Sequence, residues 1–252
     1  MLSIRLFYDN FTGDDVAGMF SPWHFVFIFI FIASLTAALF ASRFMNEKQV
    51  EKTLWWIAIC VSLAEIIKIS LRIAKGDGVD SWIPLYYCSL FLYAVWMSRS
   101  RWTWLSRMGY AYITMGGILA ACLFTLYPST SLAIYPALHP ASLHSLFYHL
   151  VMAYAGLLVL TKKTFKPRAL DSALYASFVI TACIAAFFIN ERYGSNCMFL
   201  HHAFKLPVLD GLLNYSHTLY MLVVSLGQAV VMYWLNYGLY VFFNNKFERK
   251  KQ

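Results

Sequence analysis

Ionisable side chains are expensive inside hydrocarbon, so those embedded in apolar runs are the first candidates for chemistry. Glu65, Lys68 and Arg72 lie in one such run, spaced three, four and seven apart. Those spacings put all three on one face of a helix. Such a stripe must point into a bundle or toward water. It can relay protons, bind an anion, or do no more than form an internal ion pair. Cys88 and His149 sit in two further apolar runs, and His24 opens another. A cysteine and a histidine sharing one cavity can act as thiolate nucleophile and general base. His139, His144, His201 and His202 add imidazoles, but His144 and His149 are five apart, a poor ligand spacing on a helix, and no HExxH occurs. The five cysteines form no CxxC pair. No metal site and no cofactor is therefore expected.

The elements that must position these groups are membrane helices. Hydrophobic residues make up 60% of the 252 and charged residues only 13%, about half the share usual in a soluble domain. That excludes a disordered chain, a coiled coil and an ordinary cytosolic domain. A helix crossing the hydrocarbon core needs about 20 apolar residues. Seven candidates appear, at 23–44, 53–74, 82–98, 104–126, 142–161, 169–189 and 218–243. The third is the shortest, with Pro84 near its start. The expected class is all-α: a polytopic membrane protein with seven transmembrane helices in a single domain, 1–252. No internal repeat is evident, which disfavours an inverted-repeat transporter.

Orientation follows from the basic residues. Of 20 Lys and Arg, fourteen fall in the loops after spans one, three and five and in the tail, and five on the opposite side. The bias predicts an outer N-terminus and a cytoplasmic C-terminus in a multi-pass cell (plasma or inner) membrane protein. The net charge of +8 is thus a membrane pattern, and no nucleic-acid partner is expected. The segment before the first span carries Asp9, Asp14 and Asp15 against Arg5, unlike a signal peptide. Lys246, Arg249, Lys250 and Lys251 form a basic tail suited to anionic lipid.

With that orientation, depths can be compared at about 1.5 Å per residue. Lys68, Cys88 and His149 each fall roughly 9–10 Å below the outer end of their spans, and Glu65 roughly 14 Å. His24, Asn190, Asn196, His201 and His202 lie at or near the outer ends. The polar groups therefore gather in the outer third of the bundle; Gln228 and Asn236 in the last span are exceptions. Asn196 is a candidate donor to an oxyanion. Asn10-Phe11-Thr12 and Asn214-Tyr215-Ser216 are glycosylation sequons on the expected outer side.

Several short motifs occur in order along the chain. They are Phe20-Ser21-Pro22-Trp23-His24, then Glu65 with Lys68, then Ile83-Pro84-Leu85-Tyr86-Tyr87-Cys88-Ser89. Phe147-Tyr148-His149 follows, then Gly194-Ser195-Asn196-Cys197-Met198-Phe199-Leu200 and Lys205-Leu206-Pro207. Together they resemble the YwaF-like integral membrane family, bacterial proteins of about this size and span count. The chain departs from that family at Tyr86, where His is usual, and at Cys197, where Tyr is usual. The first departure bears on any mechanism that needs a His beside the Cys. Eukaryotic relatives of the family are regarded as phospholipid acyltransferases using a Cys and a His. The resemblance implies catalytic roles for Cys88 and His149, and His24, Glu65, Lys68, Arg72, Tyr86, Tyr87, Asn196 and Lys205 are the expected substrate-binding or supporting residues around them. The expected activity is lipid acyl transfer through a Cys88 thioester in an outward-facing intramembrane cavity, with membrane phospholipid as donor or acceptor. The alternative is a transporter or sensor that binds a small anionic or lipid ligand at Glu65, Lys68 and His149.

Overall fold

The computed structural model describes residues 16–78, 82–203 and 207–249, with backbone alone at 207 and 247–249. Lys205, the acidic N-terminal segment, the sequon at Asn10 and the tail lysines Lys250 and Lys251 lie outside the described residues. The described residues are helical, with no strand among them. In chain order the helices are α1 (Pro22–Ala41), α2 (Glu47–Lys75), α3 (Leu90–Met97), α4 (Thr103–Leu126), α5 (Pro140–Thr161), α6 (Asp171–Tyr193) and α7 (Pro207–Tyr215). The last, α8, runs through His217–Leu226, Gly227–Val231 and Met232–Arg249. Six of them are long and apolar enough to cross a membrane: α1, α2, α4, α5, α6 and α8. The segment 82–98, expected as a seventh span, instead forms turns over 82–89 and the eight-residue α3. Eight residues rise only about 12 Å, less than half the hydrocarbon thickness.

Local sequence explains the helix ends. Ser21 Oγ accepts the His24 N–H, and Pro22 stands in the first turn of α1, where its missing donor costs nothing. Asn46 and Gln49 close a reciprocal capping box on α2. Its last carbonyls are met by Gly76, whose φ of 84° suits a residue without a Cβ. His139 Nδ1 accepts the Ala141 N–H at the start of α5.

On α1 only His24, Phe27 and Phe31 are buried, at spacings of three and four, while Phe25, Phe29, Ile32 and Phe40 lie exposed. A helix with large apolar side chains on its exposed face has lipid, not water, as its surroundings.

The chain divides into two compact units. The first comprises Met1–Ile83 and Ala120–Thr164. Within it α1 and α2 both pack on α5. Ser42 Oγ and Tyr154 Oη share a hydrogen bond of 2.6 Å, and Lys162 Nζ donates to the Arg43 carbonyl. Phe27, Leu132 and Ala137 form a small apolar core beneath the loop before α5.

The second unit comprises Pro84–Leu119 and Phe165–Gln252. There α3 packs on the start of α4, which in turn packs on α6. Two π-helical turns interrupt the regular helices, Tyr112–Gly117 in α4 and Gly227–Val231 in α8. A π turn leaves backbone groups without their usual helical partners. Side chains supply them here. Asn236 Nδ2 donates to the Thr114 and Met115 carbonyls at 2.9 and 3.0 Å. Tyr175 Oη donates to the Gln228 carbonyl at 2.9 Å. Arg107 grips Asp171 through Nε and Nη2 at 2.8 and 2.6 Å, and Asp171 also accepts the Arg168 N–H.

Candidate functional site

The expected site residues fall in both units. In the first unit Lys68 pairs with Glu65, as their i,i+3 spacing implies. Glu65 is only 3% exposed, so the ammonium is its compensation inside the fold. Arg72 does not share that pair. Its Nη1 donates to Asp77 Oδ2 at 3.0 Å, and it interacts electrostatically with Tyr135. The helix stripe is thus two separate ion pairs, one deep and one at the end of α2.

His144 interacts electrostatically with both Glu65 and Lys68. Among the described residues its buried Nε2 has no hydrogen-bond partner, which is unusual for a ring nitrogen inside a fold. From His144 the rings run on to Tyr148, at 5.8 Å between centroids, and from Tyr148 to His149, at 6.0 Å.

His149 is 6% exposed and stacks on Phe124, with centroids 3.7 Å apart and planes within 5°. Its Nδ1 lies 2.7 Å from the Ser145 carbonyl oxygen. A carbonyl only accepts, so Nδ1 carries the proton. In the neutral ring the lone pair is then on Nε2, the arrangement a general base requires. His24 differs. The Phe20 N–H donates to its Nδ1 at 3.0 Å, and its Nε2–H donates to the Thr125 carbonyl at 2.9 Å. Both nitrogens are committed: Nδ1 closes the chain entering α1, and Nε2 joins α1 to the end of α4. A small apolar cavity of about 10 Å³ lies beside it, lined by Phe27, Phe124, Leu132 and Leu146 among others.

In the second unit Cys88 is half-buried in the turns that precede α3. The carbonyls around it are all bonded. The Leu90 N–H reaches Tyr86 O and Tyr87 O, Phe91 N–H reaches Cys88 O, and Leu92 N–H reaches Ser89 O. Tyr112 Oη also donates to Tyr87 O. The Tyr87 and Tyr175 hydroxyls share a hydrogen bond, and the rings of Tyr87, Tyr112, Tyr175 and Tyr233 pack in sequence. Gly116 makes room for them: a Cβ there would stand 2.7 Å from Tyr87 Oη and 2.8 Å from Tyr175 Cε2.

Tyr86 packs on Phe199, with centroids 5.3 Å apart. Asn196 is engaged locally, its Oδ1 accepting from the His201 and His202 N–H groups and its Nδ2 donating to the His202 carbonyl. Asn190 does the same one turn away. Its Oδ1 accepts from Cys197 N–H and Ser195 Oγ, and its Nδ2 donates to the Cys197 carbonyl.

Sequence reasoning missed the tyrosine cluster, since a tyrosine in an apolar run counts as hydrophobic until its hydroxyl finds a partner. It named His144 only to set it aside as a metal ligand, and nothing in the sequence spacing pointed from it to Glu65 and Lys68. Among the described residues no group of three or more His, Cys, Asp or Glu is arranged to hold a metal.

Neither the curated proteins nor the solved structures compared contain a significant match to the chain. The family model of the TMEM164 family matches residues 19–240. That is a membrane protein family, in agreement with the six apolar helices and the lipid-facing surface of α1. The match takes in every described helix except the last turns of α8, and the chain therefore belongs to the TMEM164 family, as an integral, multi-pass membrane protein.

Proposed function

We propose that the protein is a lipid acyltransferase or transacylase that works through a thioester on Cys88, with His149 as general base. The observation that carries this reading is the tautomer of His149, whose Nδ1–H is held by Ser145 O and whose Nε2 is left basic. The held, half-buried turn of Cys88 supports it, as does the resemblance of the Cys and His motifs to those of a family whose eukaryotic relatives are regarded as phospholipid acyltransferases.

The steps are these. His149 Nε2 takes the proton of the Cys88 thiol. The thiolate attacks the ester carbonyl carbon of a phospholipid, the ester C–O bond breaks, and the departing lyso-lipid oxygen takes the proton from His149. An acceptor hydroxyl then gives its proton to His149 Nε2 and attacks the thioester. The C–S bond breaks, and the Cys88 sulfur recovers the proton. A phospholipid of the same membrane is the donor. Lys68 holds the lipid phosphate, and Glu65 orients Lys68.

The test is covalent. Cells fed an alkyne fatty acid should yield wild-type protein with hydroxylamine-sensitive label, and Cys88→Ser should carry none. His149→Ala should lose the label too. Label that persists in His149→Ala would mean adventitious palmitoylation. Undiminished phospholipid remodelling by Cys88→Ser would sink the mechanism.

A second reading rests on His144, whose buried Nε2 lacks a partner beside the Glu65–Lys68 pair. It makes the protein a transporter or sensor for a small anionic or lipid ligand. Uptake or binding lost in Lys68→Ala but kept in Cys88→Ser would favour it.

A further inference from the structure

Two adjacent non-glycine residues, Met198 and Phe199, adopt left-handed backbone, with φ of 52° and 58°. L-residues avoid that region, because Cβ is forced against the backbone, and a pair in succession persists only where its surroundings over-determine it. The surroundings here are explicit. Asn190 and Asn196 hold the turn from within, as described above. Gln228 Nε2, from the π turn of α8, donates to the Met198 carbonyl at 2.9 Å. Tyr220 Oη, from the start of α8, donates to the Phe199 and His202 carbonyls at 2.7 and 3.0 Å. The two strained residues are also the ones that touch the segment carrying Cys88. Met198 N–H donates to Leu85 O at 3.0 Å, and the Phe199 ring lies on Tyr86.

We infer that the turn at 195–202 is a brace for the Cys88 turn, and that Phe199 and Gln228 are positioning residues that set the reactivity of the Cys88 thiol. The inference rests on the reading of Cys88 as the reacting thiol, but its geometry does not. A turn bonded only within itself would have no cause to hold two residues in a costly conformation. This one spends that strain where it meets Leu85 and Tyr86, three and two residues before Cys88. With Tyr112 bonded to Tyr87 O on the other side, the turn is fixed from two directions. A thiol on such a turn keeps one orientation, which is what attack on a carbonyl carbon needs.

The experiment measures maleimide alkylation of each cysteine by mass spectrometry, in full-length protein reconstituted in nanodiscs. Phe199→Ala removes the ring on Tyr86, and Gln228→Met removes the donor to Met198 O while keeping the side-chain volume. Each should raise the Cys88 alkylation rate at least fivefold. Phe199→Tyr, which keeps the ring, should return it to within twofold of wild type. Buried Cys183, in the same unit, reports unfolding and should not change. A Cys88 rate within twofold of wild type in both variants would overturn the brace, as would Cys183 becoming reactive in step with Cys88. Because alkylation needs no turnover, a wild type without acyl label would count against the proposed reaction while the alkylation ratio still decides the brace.

Discussion

Gly116→Ala offers the sharpest test of the packing around Cys88. The added methyl carbon would stand 2.7 Å from Tyr87 Oη, 2.8 Å from Tyr175 Cε2 and 3.0 Å from Tyr175 Oη. All three are closer than ordinary van der Waals contact, and neither side can yield cheaply. The two tyrosines are hydrogen-bonded to each other, and Tyr175 is also bonded to Gln228 O. The backbone of the π turn is held by Asn236 at Thr114 O and Met115 O. Overpacking of a well-ordered core costs about 1–3 kcal/mol, and a site braced on both sides belongs in the upper half of that range. The control is Gly238→Ala in α8, where a Cβ meets nothing within 4 Å. Helix propensity there favours alanine by up to about 1 kcal/mol. The assay is thermal unfolding of purified protein in detergent, with acyl label at Cys88 as a second readout. Gly116→Ala should melt clearly below wild type and Gly238→Ala at or above it. Because Tyr87 adjoins Cys88, label should fall in the first variant and not in the second. Equal melting of the two variants would refute the argument, since it would mean that the tyrosines move aside without cost.

Asp171→Asn should destabilise the protein by about 2–3 kcal/mol, because it leaves Arg107 with a neutral partner; the figure is set below that of a fully buried pair since Arg107 is one-quarter exposed. The double variant Arg107→Met with Asp171→Leu should recover part of that loss in the same thermal assay. His24→Gln should cost about 1–3 kcal/mol, since two hydrogen bonds at a buried site are disturbed. The folded fraction should keep its Cys88 label, in contrast to His149→Ala; loss of label in folded His24→Gln would give His24 a part in the chemistry.

Much of the architecture could be read from hydropathy because lipid selects for long apolar runs. The six long helices begin and end within a few residues of the expected spans, with two exceptions: α8 runs six residues past its expected end, and α2 starts six residues early, where the capping box at Asn46 outweighs the polar composition of its first turns. The run at 82–98 misled for the same reason. Its aromatic and aliphatic residues satisfy a hydropathy count equally well as a short buried helix behind a bonded turn. That Glu65 would pair with one of the two cations on its face was legible from spacing, though not that the cation is Lys68. The partner of Arg72 was not, since Asp77 comes after the helix has ended and is brought back only by the reversal at Gly76. Sequence set His149 within its span as the catalytic base and His24 at the mouth of another, but it did not show which ring nitrogen each commits. His149 Nδ1 meets the Ser145 carbonyl one turn back, whereas His24 Nε2 meets the Thr125 carbonyl, far along the chain.

The two π turns carry a consequence for length variation along the chain. Each holds one residue more than an α-helix would place in the same rise, so each is a point where the polypeptide has a residue to spare. Removing a single residue from Gly227–Val231 would let α8 close into regular α-helix. Because the turn already absorbs its extra residue, everything beyond would keep nearly its present face. Tyr233 and Asn236 would stay buried, and the carbonyls of Thr114 and Met115 would keep their donor. A one-residue shortening is therefore absorbed at this turn, whereas the same change in the regular part of α8 would swing everything beyond by about 100° onto another face.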